Sequence, residues 1–137
     1  MKQIRVLLVD DSLQFLDSAA DFLACDGRVL VVGRARDGQE GVRLAEELAP
    51  DLVLMDLSMS VMDGLAATRL IKARPAPPRV VIVTLRDSPE DRQGAHSARA
   101  DGFICKSEFT DRVLAAVDAL SPGLAPLLNR TPGERTM

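Results

Sequence analysis

Asp10, Asp11, Asp56, Thr84 and Lys106 are the residues whose types combine into chemistry. Three carboxylates held together repel one another, and their protonation equilibria rise unless a cation joins them. An oxygen-only ligand set with positions left to water suits Mg²⁺, with Mn²⁺ as the alternative. A metal held in that way takes up phosphate oxygens. A hydroxyl such as Thr84 donates a hydrogen bond to a phosphoryl oxygen, and an ammonium such as Lys106 pairs with another. A carboxylate on a rigid strand end, the place read for Asp56, is able to act as a nucleophile and form an acyl phosphate. Singly, each residue has a plainer reading. Asp10 or Asp11 caps a helix, Asp56 and Thr84 end strands, and Lys106 is a solvated charge. Position is what joins them.

Five apolar runs supply that position: Ile4 to Val9, Val29 to Gly33, Leu52 to Met55, Val80 to Val83, and Phe103 to Cys105. Most are rich in Val, Ile or Leu and do not alternate, as expected of strands buried on both faces of a parallel sheet. Helical spacing fills the intervals, over 12–25, 39–48, 64–73 and 109–120, the last with Phe109, Val113, Ala116, Val117 and Leu120 on one face. A fourth helix, 89–100, has only Ala95, Ala98 and Ala100 to bury, and Gly94 weakens it further. It is the element expected to move most easily. Asp63-Gly64 is placed to cap the third helix and Ser88-Pro89 to start the fourth. The β-α alternation predicts a doubly wound α/β sandwich. In such sheets ligands bind beyond the carboxyl ends of the strands. Asp10-Asp11 follow the first strand, Asp56 the third, Thr84 ends the fourth and Lys106 follows the fifth, so all five converge on one edge.

The chain of 137 residues has one domain's length, with a net charge of −3 that excludes a generically basic nucleic-acid binder. It has no Trp and no Tyr, so stacking platforms for single-stranded nucleic acid are not expected. Cys25 and Cys105 have no metal-ligand spacing and fall in apolar stretches, so both are expected to be reduced and mostly buried. The first apolar run is too short for a signal-peptide core or a membrane span, and a cytoplasmic protein is expected. Dinucleotide, P-loop and nucleophile-elbow motifs are absent. His96, the single histidine, lies on the polar fourth helix and reads as a surface residue.

Val6-Leu7-Leu8-Val9-Asp10-Asp11-Ser12, Pro50 through Met59, Met62-Asp63-Gly64, Val80 through Thr84 and Ala100 through Lys106 together resemble the receiver domain of bacterial two-component response regulators. The resemblance covers roughly residues 4–120. It implies a flavodoxin-like, five-stranded parallel sheet in the order 2-1-3-4-5 with five helices. It further implies that Asp56 accepts a phosphoryl group from a sensor histidine kinase or phosphotransfer protein. Mg²⁺ would be held by Asp11, Asp56 and the backbone carbonyl of Ser58, with Asp10 acting through water. Thr84 and Lys106 would contact the phosphoryl group. Thr84 and Phe103 would form a switch that changes the face built from the fourth helix, fifth strand and fifth helix. A downstream protein effector or a second copy in a homodimer would read that face, and the chain itself is not expected to bind nucleic acid or membrane. The stretch from Thr84 to Phe109 looks most like receivers of the LuxR/NarL-type group. Residues 1–120 read as the receiver and 121–137 as a Pro- and Gly-containing tail or linker.

Several positions depart from the family pattern. Ser60 and Ser107 stand where Pro is usual, so a looser loop after Asp56 and a trans Lys106–Ser107 bond are expected. Leu85 stands where a small residue is usual and is expected to narrow phosphoryl access. Ser58 and Arg86 occupy the family's rate-tuning positions. Two other functions compete with the switch. One is a receiver-like interaction module that does not respond to phosphorylation. The other is an aspartate-nucleophile phosphatase of the haloacid-dehalogenase type, opposed by Asp10-Asp11-Ser12-Leu13-Gln14 where DxDxT is needed. As a switch the protein is not an enzyme, since it turns over only itself.

Overall fold

The computed structural model describes residues 3–120. Its elements run β1 (Ile4–Val9), α1 (Leu13–Ala24), β2 (Val29–Ala35), α2 (Gly38–Leu48), β3 (Leu52–Met55), α3 (Gly64–Lys72), β4 (Arg79–Thr84), α4 (Pro89–Ser97), β5 (Gly102–Cys105), a single 3-10 turn (Lys106–Glu108) and α5 (Phe109–Leu120). The five strands form one sheet in the order β2-β1-β3-β4-β5, every pairing parallel. The reading of residues 121–137 as a tail, with a short turn near Leu124, lies outside the described residues.

The non-alternating runs explain the two-sided core. Ile4, Val6 and Leu8 of β1 point to one face, where they pack with Leu16, Ala19 and Leu23 of α1 and with Phe109, Val113 and Val117 of α5. Leu7 and Val9 point to the other, against Ala45 of α2, Ala67 and Ile71 of α3, and Ala95 of α4. Each face therefore removes its own stripe of apolar surface from water.

The edge strands are less regular. β2 runs two residues past the predicted end at Gly33, and its register against β1 shifts between Val6 and Leu7. Gly33 stays within the strand because a Cβ there would lie 2.7 Å from Leu48 Cδ1 of α2. The glycine marks a close approach of helix to sheet rather than a stop.

Local signals set the helix starts. Ser12, Asp37, Asp63 and Ser88 cap α1, α2, α3 and α4, each side chain accepting a backbone N–H of the first turn. Within α4 only Ala95 is buried, as its polar sequence predicts. Gly94 lies where α4 meets α3, and a Cβ there would come 2.6 Å from Leu65 Cδ1.

One sequence expectation is corrected. The cysteines are not mostly buried: Cys25 is exposed and Cys105 half-buried, and both are free thiols. Cys25 follows the last turn of α1 as its C-cap, where the chain turns outward toward Asp26-Gly27. The apolar residues before it had suggested a continued buried stripe. His96 is exposed, as expected. No described peptide bond is cis, so Lys106–Ser107 is trans. Among the described residues no helix is long and apolar enough to cross a membrane.

Candidate functional site

The carboxyl edge of the sheet opens into a cleft of about 500 Å³ lined in part by Asp11, Asp56, Ser58, Thr84, Leu85 and Lys106. Asp10 lies beneath it, 2% exposed, while Asp56 and Thr84 are each 5% exposed. The structure thus brings together all five residues singled out for chemistry. Asp11 is the one exposed member of the acid cluster. One carboxylate oxygen from each of Asp10, Asp11 and Asp56 lies within 4.8 Å of the other two.

Backbone bonds fix this arrangement. The Asp10 N–H donates to Ala35 O at 3.0 Å and the Asp56 N–H to Val9 O at 2.9 Å, so both acids are held by sheet-type bonds at strand ends. Asp10 Oδ1 accepts the Ser12 N–H at 2.8 Å. Ser12, not either acid, caps α1, which removes the plainer reading of Asp10 and Asp11 as helix caps. After Asp56 the loop is tied by Gly64 N–H to Leu57 O at 3.0 Å and Gly38 N–H to Met62 O at 3.0 Å. Among the described glycines Gly64 permits the tightest approach, since a Cβ there would lie 1.9 Å from the Asp56 carbonyl oxygen. Val61, in the same loop, takes φ 70°, a left-handed conformation unusual for a β-branched residue.

Lys106 reaches back over the acids from the 3-10 turn after β5. Its Nζ is 2.8 Å from Asp10 Oδ2 and 3.8 Å from Asp56 Oδ1. The close contact with Asp10 is an ion pair without hydrogen-bond alignment, so the buried Oδ2 accepts no aligned donor. Burial pushes the Asp56 carboxyl up to about 6, and Asp10 and then Asp11 add to the rise. Lys106 and the Leu57 N–H oppose it. The set is thus an all-oxygen cluster of three carboxylates with a single ammonium against it, the donor chemistry that a small hard cation matches. Around it stand a nucleophile-capable carboxylate, a hydroxyl and an ammonium.

Two contacts were not read from the sequence. Phe15 falls within the helical spacing of 12–25 and reads there as one more apolar stripe residue, yet it lines the cleft and carries the Lys106 ammonium 4.5 Å from its ring centroid. Its place in the first helical turn after the acids was the available signal. Arg92 of α4 lies over the ring of Phe103, 4.6 Å from the centroid, and is tied to Asp87 by a second contact at 2.9 Å. Phe103 itself is half-buried. Leu85 is 76% exposed on the cleft wall.

Fold and cleft together define a doubly wound domain with an acid, hydroxyl and ammonium site at its switch edge. The model of the response regulator receiver domain matches residues 6–118. The chain belongs to that family. It is 36% identical over 131 residues to the transcriptional regulatory protein LiaR of Bacillus subtilis, covering 96% of this chain and 62% of LiaR. It is 32% identical to the nitrate/nitrite response regulator protein NarL of Escherichia coli K12, covering 95% of this chain and 66% of NarL. The chain thus spans about two thirds of the length of these LuxR/NarL-type relatives. The signal receiver domain of a NarL response regulator from Mycobacterium tuberculosis superposes with a TM-score of 0.81 at 30% identity, covering 85% of this chain and 94% of that one. Receiver domains bind Mg²⁺ at an acidic pocket, interact with histidine kinases and effector domains, and are in general not enzymes.

Proposed function

We propose that this chain is a phosphorylation-dependent signalling switch that takes a phosphoryl group on Asp56 from a sensor histidine kinase or phosphotransfer protein. The observation that carries the reading is the convergence of buried Asp56 with Asp10, Asp11, Thr84 and Lys106 in one cleft. Asp11, Asp56 and the Ser58 carbonyl would hold Mg²⁺, with Asp10 acting through water. When bound, the metal neutralises charge on the phosphoryl oxygens.

An Asp56 carboxylate oxygen attacks the phosphorus of a donor phosphohistidine. The P–O bond forms as the P–N bond breaks, and the departing imidazole keeps the bonding electrons and takes a proton. Lys106 pairs with one phosphoryl oxygen and Thr84 donates its hydroxyl hydrogen to another. Water attack on the acyl phosphate returns the Asp56 carboxylate and inorganic phosphate, so the protein turns over only itself.

Thr84 then shifts toward the phosphoryl group, and the Phe103 ring turns inward behind it. The face formed by α4, β5 and α5 changes, and α4, with little buried surface, is the element that yields. A protein effector or a second copy of the chain reads that face. Leu85 and Arg86 on the cleft wall set access and the lifetime of the acyl phosphate. On this reading the chain works in the cytoplasm on protein partners, without contacting membrane or nucleic acid through residues 1–120.

Melting with Mg²⁺ and beryllofluoride, a phosphoryl mimic, tests the reading in a dye-based assay, since the chain has no Trp or Tyr. At about 100 times the dissociation constant a ligand adds about 2.7 kcal/mol, a rise of several degrees. The rise is expected in wild type and not in Asp56→Ala. Equal melting with and without the mimic in wild type would contradict the proposal.

A further inference from the structure

We propose that Phe15 is the seat of Lys106, its ring face holding the ammonium where it meets a phosphoryl group on Asp56. The inference rests on the reading of the cleft as a phosphoryl-acceptor site and adds a positioning residue to it.

A lysine side chain has a flexible four-carbon stem, and of the two carboxylates near its ammonium only Asp10 is close, at 2.8 Å against 3.8 Å for Asp56. Lys106 nevertheless has only 12% of its side chain exposed, within a cleft open to solvent. Phe15 is a third partner, with the ring centroid 4.5 Å from Nζ. The ring's negative face attracts the cation without carrying net charge. A further carboxylate there would hold the lysine more tightly and would also repel the incoming phosphoryl group. The aromatic face avoids that conflict. The lysine's other close partner, Asp10, is also the acid that a cation in the cleft would engage. Once its charge is shared, its hold on Lys106 falls and the ring remains.

Phe15 is itself held firmly. Its ring meets Phe109 edge-on, with centroids 5.2 Å apart and planes at 77°. Phe109 meets Phe22 in the same manner at 6.2 Å. Phe109 opens α5 directly after the turn that carries Lys106. The ammonium and the ring that seats it are therefore braced by the same aromatic group between α1 and α5.

Two measurements on the full chain test the assignment, using Phe15→Leu, which keeps an apolar side chain but removes the ring, and Phe15→Tyr, which restores it. In metal-free protein, the Lys106 Hε resonances are expected to be displaced upfield by the ring in wild type and in Phe15→Tyr. They are expected to return to ordinary lysine positions in Phe15→Leu. With Mg²⁺ present, beryllofluoride is expected to bind about tenfold more weakly to Phe15→Leu and near wild-type strength to Phe15→Tyr, while the Mg²⁺ dissociation constant alone changes less than about twofold. Unshifted Lys106 resonances in wild type, or undiminished mimic binding by Phe15→Leu, would overturn the inference. If wild type binds no mimic, the phosphoryl-acceptor reading fails, and the resonance test still decides whether Phe15 seats the lysine.

Discussion

Arg92 lays its guanidinium 4.6 Å from the centroid of Phe103, joining α4 to β5 beside the cleft. Phe103 is the ring proposed to turn inward on phosphorylation, so this contact must be released or remade during the switch. A cation–π contact of this kind is worth about 0.5–1 kcal/mol at an exposed site. Arg92→Ala is expected to bind beryllofluoride with Mg²⁺ about two- to fivefold more tightly, because the ring no longer leaves a favourable partner. Titration calorimetry of the two proteins reads the difference. Equal affinities would show that the contact is not part of the transition.

Asp56 carries a pH signature. Its carboxyl is raised by burial to about 6, against 3.8 in the unfolded chain, so the folded protein binds the extra proton between those values. Stability without metal is therefore expected to fall as pH rises from about 4 to 6 and to level off above. The span between 3.8 and about 6 corresponds to about 3 kcal/mol. Asp56→Asn removes this cost, so the variant is expected to melt above wild type at pH 7.5 without Mg²⁺ and to lose most of that advantage near pH 4. An advantage that does not change with pH would mean that Asp56 is not strained by its charge. Added Mg²⁺ is expected to raise wild-type melting at neutral pH and to narrow the gap.

Gly64 tests how closely α3 must approach the nucleophile. A Cβ at Gly64 would meet the Asp56 carbonyl oxygen at 1.9 Å, backbone that cannot rotate away, whereas nothing lies within 4 Å of one at Gly27. Gly64→Ala is expected to cost about 1–3 kcal/mol and to weaken mimic binding, because it displaces Asp56 itself. Gly27→Ala is expected to be neutral or slightly stabilising. Denaturant unfolding of both variants checks the contrast, and similar stabilities for the two would contradict it.

Val61 holds a left-handed φ of 70° and is 75% exposed, so strain is present without compensating burial. Asn tolerates that conformation. Val61→Asn is expected to stabilise the protein by about 1 kcal/mol and raise the melting temperature by several degrees. No gain would indicate that the loop relaxes around valine.

The central strands were legible because burial on both faces forces unbroken apolar runs, as in Val80 to Val83. The start of the edge strand β2 was legible too, but its end at Ala35 was not, since Gly33 reads as a stop until the neighbouring Leu48 is known. The acid, hydroxyl and ammonium positions were legible because parallel winding brings every strand's carboxyl end to one edge. What the sequence did not show depends on side-chain direction in three dimensions. Phe15 fits a core stripe equally well whether or not a lysine lies on its ring. Arg92 reads as a solvated charge on a polar helix until Phe103 is placed beneath it. Cys25 was misjudged because apolar neighbours at a helix end do not reveal which side the last residue faces.

The central claim is that Asp56 becomes an acyl phosphate. Incubation of the full chain with phosphoramidate and Mg²⁺, followed by intact-mass spectrometry, tests it most directly. The account predicts a gain of one phosphoryl mass in wild type, dependent on Mg²⁺, reversed on standing, and absent in Asp56→Asn. No mass gain in wild type with the cation bound, or an undiminished gain in Asp56→Asn, would contradict it.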